Sequence, residues 1–128
     1  MKTKSALLFV SACLGLALLW PGAALAQQPP IKIGLVQGIS GPFEVYAKQV
    51  VEGFKLGLEY GTGGKHELLG RKVQVIIEDD QLKPDVSKRL VTKLYADDKV
   101  DLVVGTTSSA AALAILPVAA EFKKVLLV

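Results

Sequence analysis

The stretch that decides the fold is Val100-Asp101-Leu102-Val103-Val104-Gly105-Thr106-Thr107-Ser108-Ser109, which runs into Ala110-Ala111-Ala112-Leu113. Its apolar run at 102–104 is typical of a parallel strand that is covered on both faces. A glycine follows this run, and four consecutive hydroxyl side chains lead into an alanine-rich segment. Ser or Thr before such a segment predicts a helix N-cap, whose hydroxyl accepts from an N–H of the first turn. The stretch therefore predicts a strand, a short loop and a helix N-terminus that offers uncharged donors to an anion.

Strand and helix patterns alternate on both sides of this stretch. Apolar runs at 31–36, 72–77 and 125–128 predict three further strands. Helical spacing predicts a helix over 43–60, and Pro84 suits the first turn of a second helix because its missing N–H has no partner there. The resulting order, β-α-β-α-β-α-β, predicts an α/β fold: a partial doubly wound parallel sheet with helices on both faces. Pro117 predicts a kink or a break in the last helix.

The winding of such a sheet indicates where a ligand binds. Ligands of open parallel sheets lie beyond the carboxyl ends of the strands, where the strand order reverses. A flavodoxin-like order of 2-1-3-4 puts the reversal between the first and third strands, so the loops at 37–46 and 105–110 would flank the crevice. These loops are also the richest in glycine and hydroxyl residues, and they supply five candidate ligand-binding residues: Ser40, Tyr46, Thr107, Ser108 and Ser109.

For these candidates a purely structural interpretation stays open. The hydroxyl groups at 106–109 are also compatible with capping and loop solubility alone. Ser40 is compatible with a turn that only starts the first helix. Tyr46 is compatible either with a core ring or with a wall that stacks on a ligand, since tyrosine combines a flat apolar face with a polar tip.

No motif for catalysis, a metal or a cofactor emerges. The acidic run at 78–80 does not match the spacing of a phosphoacceptor site and is interpreted as helix-capping and loop acids. The only histidine, His66, has no second histidine or cysteine beside it. The serines at 108 and 109 lack a nucleophile elbow, and the glycines at 34–41 do not have the spacing of a dinucleotide fingerprint. The sequence therefore predicts a binding protein without a metal or cofactor, not an enzyme.

The N-terminal segment has the layout of a secretory signal peptide. Lys2 and Lys4 precede an apolar stretch that ends at Ala24-Leu25-Ala26, so residues 1–26 are expected to be removed and the protein exported. Lipid anchoring at Cys13, the only cysteine, is disfavoured because the apolar run continues beyond it to the better cleavage site. Of the 15 Lys and Arg residues, the two in this segment leave 13 against 12 Asp and Glu, which does not favour nucleic-acid binding.

The C-terminal end carries its own expectation. The sequence stops within the apolar run at 125–128, and a buried strand seldom ends a domain. We therefore expect the chain to be the first part of a longer protein.

Several short motifs, in order, resemble one known family. They are Ile33-Gly34-Leu35-Val36-Gln37, Ser40-Gly41-Pro42 with Tyr46, Asp79-Asp80 with Pro84, Gly105-Thr106-Thr107-Ser108-Ser109, and Pro117-Val118-Ala119. Together they resemble the branched-chain amino-acid-type, or type I, periplasmic substrate-binding proteins, the soluble receptors of ABC importers.

This resemblance implies a bilobed receptor, with residues 27–128 as an incomplete N-terminal lobe. It implies that Ser109 or Ser108 hydrogen-bonds the ligand's carboxylate and that Tyr46 lines the pocket. The implied partners are a small carboxylate or amino-acid ligand and an ABC membrane permease, and the full-length protein would be a periplasmic monomer. The alternative is the same fold used as a ligand-sensing module coupled to a signalling partner.

Overall fold

The computed structural model describes residues 28–128, so the predicted signal peptide and Cys13 lie outside the described residues. Strands and helices alternate along this part of the chain as the sequence predicts. Their bounds are β1 (Ile31–Gln37), α1 (Glu44–Thr62), β2 (Glu67–Leu68), β3 (Arg71–Asp79), α2 (Pro84–Ala96), β4 (Leu102–Val104), α3 (Ser109–Phe122) and β5 (Val125–Leu127).

The five strands form one sheet in the order β2-β3-β1-β4-β5. Strand β1 pairs in parallel with β3 on one side and with β4 on the other, and β5 pairs in parallel with β4. The four strands that the sequence predicts are β1, β3, β4 and β5, and they have the predicted 2-1-3-4 order. The α/β fold class is confirmed. The reversal of the winding lies between β1 and β4, with no strand between them.

The sequence did not predict β2, which forms a short antiparallel hairpin with β3 at the edge of the sheet. Residues 65–71 show no strand pattern in the sequence, because a two-residue strand is too short to show alternation. Leu69 and Gly70 form the turn, both with positive φ (53° and 74°). This hairpin lies two strands away from the reversal point.

The main hydrophobic core lies on the face of the sheet that α2 and α3 cover. Its buried members come from β1, β4, the two helices and the loop before β4: Val36, Val91, Leu94, Tyr95, Val100, Val103, Ile115, Val118 and Ala119. Leu35 points to the opposite face because successive strand residues alternate. Leu35 is fully buried and lies outside this cluster, as do Ala47 and Val51 of α1. Helix α1 therefore covers the second face.

Helix α3 is continuous from Ser109 to Phe122 with Pro117 inside it, so of the predicted kink or break, the break does not occur. Proline removes one backbone hydrogen bond and crowds the preceding turn. Ile115, just before the proline, and Val118, just after it, are both buried in the main core. Packing on both sides of the proline therefore holds the helix together.

Gly105 allows a close backbone approach at the edge of the sheet where the sequence predicts the ligand. Its φ is +147°, and a Cβ built on it would overlap the carbonyl oxygen of Val36. Its N–H donates to the carbonyl oxygen of Leu127 at 3.0 Å. Only glycine lets the exit of β4 lie against the end of β1, so this residue sets the distance between the two loops of the predicted site.

We predict that Gly105→Ala destabilises the protein containing this chain by about 1–3 kcal/mol or more, because the backbone must leave a conformation that alanine rarely adopts. Gly57→Ala is the matched control. Gly57 lies inside α1 with no atom within 4 Å of a built Cβ, so alanine there should stabilise by up to about 1 kcal/mol. Urea unfolding followed by circular dichroism measures both. Equal stability of Gly105→Ala and wild type would show that the close approach is not needed.

Candidate functional site

Hydrogen bonds through Thr107 join the exits of β1 and β4. Its hydroxyl donates to Oε1 of Gln37 at 2.7 Å and accepts from the backbone N–H of Gly38 at 3.3 Å. Thr107 follows β4, whereas Gln37 and Gly38 lie at the end of β1. The two loops that the sequence predicts to flank the crevice therefore meet at one edge of the sheet.

The same bonds show what Thr107 does in this structure. The single proton of the Thr107 hydroxyl goes to Gln37, and its oxygen accepts from Gly38. Thr107 is half-buried, and its hydroxyl group is engaged within the protein. Gln37 is 3% exposed, although it is polar. The sequence analysis did not select Gln37, because a polar residue at a strand end is common and its partner is 70 positions away.

The start of α3 differs from the capping prediction. Ser108 occupies the N-cap position with an extended backbone (φ −106°, ψ 128°), but its side chain makes no capping hydrogen bond. Instead, Thr106 Oγ1 donates to the carbonyl oxygen of Ser108 at 2.8 Å and accepts from its N–H at 3.3 Å. The side chain of Ser108 therefore does not cap the helix as predicted.

This arrangement keeps the N-terminus of α3 available. The carbonyl of Ser108 begins the helix ladder by accepting from Ala112 N–H at 2.9 Å. The side chain of Ser109, the first helical residue, is exposed. The helix dipole and the first-turn N–H groups of this end favour a negative charge.

Tyr46 lies in the first turn of α1, which follows the exit of β1. Its side chain is 65% exposed and contacts Phe43 in an edge-to-face arrangement, with 6.3 Å between the ring centroids and an interplanar angle of 77°. Tyr46 therefore does not belong to the hydrophobic core, which removes one of the two interpretations that the sequence left open.

Ser40 is held by the neighbouring strand. Its hydroxyl donates to Oδ2 of Asp79 at 2.6 Å, and Asp79 Oδ1 accepts from the N–H of Gln81 at 2.9 Å. Partial burial opposes ionisation of Asp79, but the hydrogen bonds from Ser40, Gln81 and Ile39 outweigh it and lower its pKa. Ser40 thus ties the exit of β1 to the exit of β3.

The other two residues of the acidic run at 78–80 have structural partners. Asp80 is fully buried, where Oδ1 accepts from Leu82 N–H at 2.9 Å and Oδ2 from Ser87 Oγ at 2.7 Å. Glu78 pairs with Lys93 at 2.8 Å. The structure of residues 28–128 contains no group of three His, Cys, Asp or Glu side chains that could hold a metal ion. Within this part of the chain no helix is long and apolar enough to cross a bilayer.

Two open depressions adjoin the exit of β4, with Thr106, Thr107 and Val128 common to both. One, of about 380 Å³, extends along α3 and is completed by Ser109, Ala112, Leu113 and Leu116. The other, of about 420 Å³, extends towards α1 and is completed by Gln37, Val50, Val104, Gly105 and Leu127. In the part of the chain that the structure describes, no charged side chain lines either depression. This edge of the sheet can therefore hold a small ligand with apolar walls and neutral hydrogen-bond donors.

Comparisons with known proteins agree with this geometry. Residues 30–128 match the sequence profile of a family described as periplasmic binding protein. No curated protein gave a match.

Solved structures give closer comparisons. An ABC-type branched-chain amino acid transporter structure from Rhodopseudomonas palustris is 55% identical, with a TM-score of 0.74, over 75% of this chain and 26% of that chain. A solute-binding protein of an ABC transporter from R. palustris BisB5, in complex with 3,4-dihydroxybenzoic acid, is 33% identical (TM-score 0.70; 77% of this chain, 26% of that chain). A branched-chain amino acid transporter substrate-binding protein from Streptococcus pneumoniae, in complex with isoleucine, is 25% identical (TM-score 0.70; 76% and 28%).

The chain thus spans only about a quarter of the length of these relatives. The profile match nevertheless covers most of the chain, and the strand order and crevice agree with it. The chain belongs to the periplasmic binding protein family and is related to the substrate-binding proteins of branched-chain amino acid ABC transporters.

Proposed function

We propose that the protein containing this chain is a periplasmic, non-enzymatic receptor that binds a small carboxylate-bearing solute and delivers it to an ABC permease. The observation that carries the proposal is the link through Thr107, which brings the exit of β1 and the start of α3 to one edge of the sheet. On this view residues 27–128 form the first part of the N-terminal lobe, and residues 1–26 direct export.

The start of α3 is the proposed carboxylate site. Ser109 is exposed at the first helical position, and the side chain of Ser108 does not occupy the first-turn N–H groups. A carboxylate that accepts from the Ser109 hydroxyl and from these N–H groups would be stabilised without a cationic side chain. Such a site binds the anion without the cost of burying an opposite charge in the empty protein.

The other candidates take supporting roles. Tyr46 is exposed in the first turn of α1 and is proposed to form a wall against the ligand's body. Thr107 and Ser40 are proposed to position the loops, since both hydroxyl groups already donate to protein acceptors. Ser108 is proposed to contribute its half-buried hydroxyl at the edge of the site.

The class of ligand follows from the walls and the relatives. The apolar lining suits an aliphatic or aromatic body, and the relatives' complexes contain isoleucine and 3,4-dihydroxybenzoic acid. Both compounds combine a carboxylate with an apolar body. A branched-chain or other amino acid and an aromatic or aliphatic acid are therefore the solutes to test.

The receptor proposal predicts that a cognate acid raises the thermal stability of the protein containing this chain. Binding to the folded state alone stabilises by RT ln(1 + [L]/Kd), or about 2.7 kcal/mol at a hundredfold excess over Kd. A thermal-shift screen with amino acids and aromatic acids measures this effect, with the corresponding amides or alcohols as uncharged controls. A screen in which no carboxylate shifts the melting temperature would contradict the proposal.

Ser109→Ala should weaken binding of the best acid by ~1 kcal/mol or more, because a hydrogen bond to a charged oxygen is lost. Ser40→Ala is the matched control, as it removes a loop hydroxyl that is donated to Asp79, and it should change the affinity much less. Isothermal titration calorimetry measures both variants. If Ser40→Ala is the more damaging change, the carboxylate does not bind at Ser109.

The role of Ser40 gives a separate, pH-dependent prediction. The pKa of Asp79 is lowered in the folded protein, so its contribution to stability is fully present above the unfolded pKa of about 3.9 and is lost as the pH falls through the folded pKa. Ser40→Ala removes one donor and should raise the pKa of Asp79. Carboxyl ¹³C NMR titration measures this, and an unchanged midpoint would show that Ser40 does not hold the carboxylate in solution.

A further inference from the structure

Gln37 carries a buried polar group that the protein uses only in part. The residue is 3% exposed, and its Oε1 accepts from Thr107 Oγ1 at 2.7 Å. Because the hydroxyl of Thr107 donates to Oε1, the amide presents its oxygen to Thr107 and its nitrogen, Nε2, to the other side. Within residues 28–128, no acceptor pairs with the other end, the Nε2 amide group.

The Nε2 group has a defined place to donate. Gln37 lines the depression of about 420 Å³ between α1 and β4, together with Val50, Val104 and Leu127. The surrounding side chains are mostly apolar, and Nε2 is not among the buried side-chain atoms of residues 28–128 that lack a partner, so this donor remains accessible. A ligand oxygen placed here can accept from it in apolar surroundings, where a hydrogen bond is stronger than in water.

We propose that Gln37 is a specificity-determining residue of the receptor, donating through Nε2 to a second oxygen of the ligand, one that is not part of the carboxylate at Ser109. This inference rests on the proposed function and adds the chemical class of the solute: a small acid that also carries a hydroxyl or carbonyl oxygen. Thr107 is the positioning residue, since its hydroxyl holds the amide in the donating orientation.

The orientation also selects against a cation at this position. An ammonium group needs acceptors, whereas Nε2 only donates, and Thr107 takes one of the two acceptor positions of Oε1. Among residues 28–128, no Asp or Glu side chain lines the depression. The site around Gln37 therefore favours an acceptor on the ligand over an amino group.

The test measures the affinities of benzoate and of its 3- and 4-hydroxy derivatives by calorimetry, with isoleucine as the amino-acid probe. In wild type, we expect one of the hydroxybenzoates to bind about tenfold more tightly than benzoate, as one buried hydrogen bond would give. In Gln37→Met this ratio should fall to about one. Gln37→Glu keeps an acceptor for Thr107 but loses the donor, and it should lose the ratio as well.

The controls separate this inference from the function on which it rests. Ser109→Ala should weaken benzoate and hydroxybenzoate by the same factor and so preserve the ratio, and melting curves establish that each variant is folded. Two results overturn the role of Gln37 while leaving the receptor intact: a ratio that survives both Gln37 variants, or wild-type protein that binds isoleucine but no hydroxybenzoate. If wild type binds none of the four compounds or any other carboxylate, the proposed function fails with it.

Discussion

The parallel pairing of β1 with β4 is the constraint on which the site depends. Since β3 pairs with the other side of β1, the chain must wind in opposite directions from this strand, and the crevice opens where the winding reverses. The close approach at Gly105 and the hydrogen bonds of Thr107 then fix how near the two exits lie. Without this pairing, the segments that carry Tyr46 and Ser109 would not meet at one edge of the sheet.

The lining of this edge of the sheet is uncharged, but the start of α3 makes the edge attractive to a negative charge. The start of α3 supplies a partial positive charge and N–H donors, while the walls along α3 and α1 are largely apolar. A cationic side chain would bind an anion more strongly, but it would also hold other anions. Dipoles and hydroxyl groups favour an acid whose body fits the apolar walls.

The sequence was sufficient for features that repeat along the chain. The alternation of apolar runs with helical spacing predicted the order of β1, β3, β4 and β5, and right-handed crossovers then predicted the edge where loops meet. Features set by single long-range contacts were not predicted. The partner of Gln37 is far away in sequence, and β2 is too short to show a period.

Local rules failed where other contacts competed with them. Ser108 has the residue type and position of an N-cap, but its side chain makes no capping hydrogen bond, and the hydroxyl of Thr106 instead bonds the N–H and the carbonyl of Ser108. Pro117 should end a helix in isolation, whereas core packing of Ile115 and Val118 continues it. In both cases the propensity is small compared with the contacts that the folded chain makes.

The most direct test of the account is a crystal structure of the protein containing this chain with its bound acid. The account predicts a ligand carboxylate oxygen within about 3.2 Å of Ser109 Oγ or of a first-turn N–H of α3, with the ligand's body between α3 and Tyr46. A carboxylate held at a different edge of the sheet, or by side chains remote from both Ser109 and Tyr46, would contradict it.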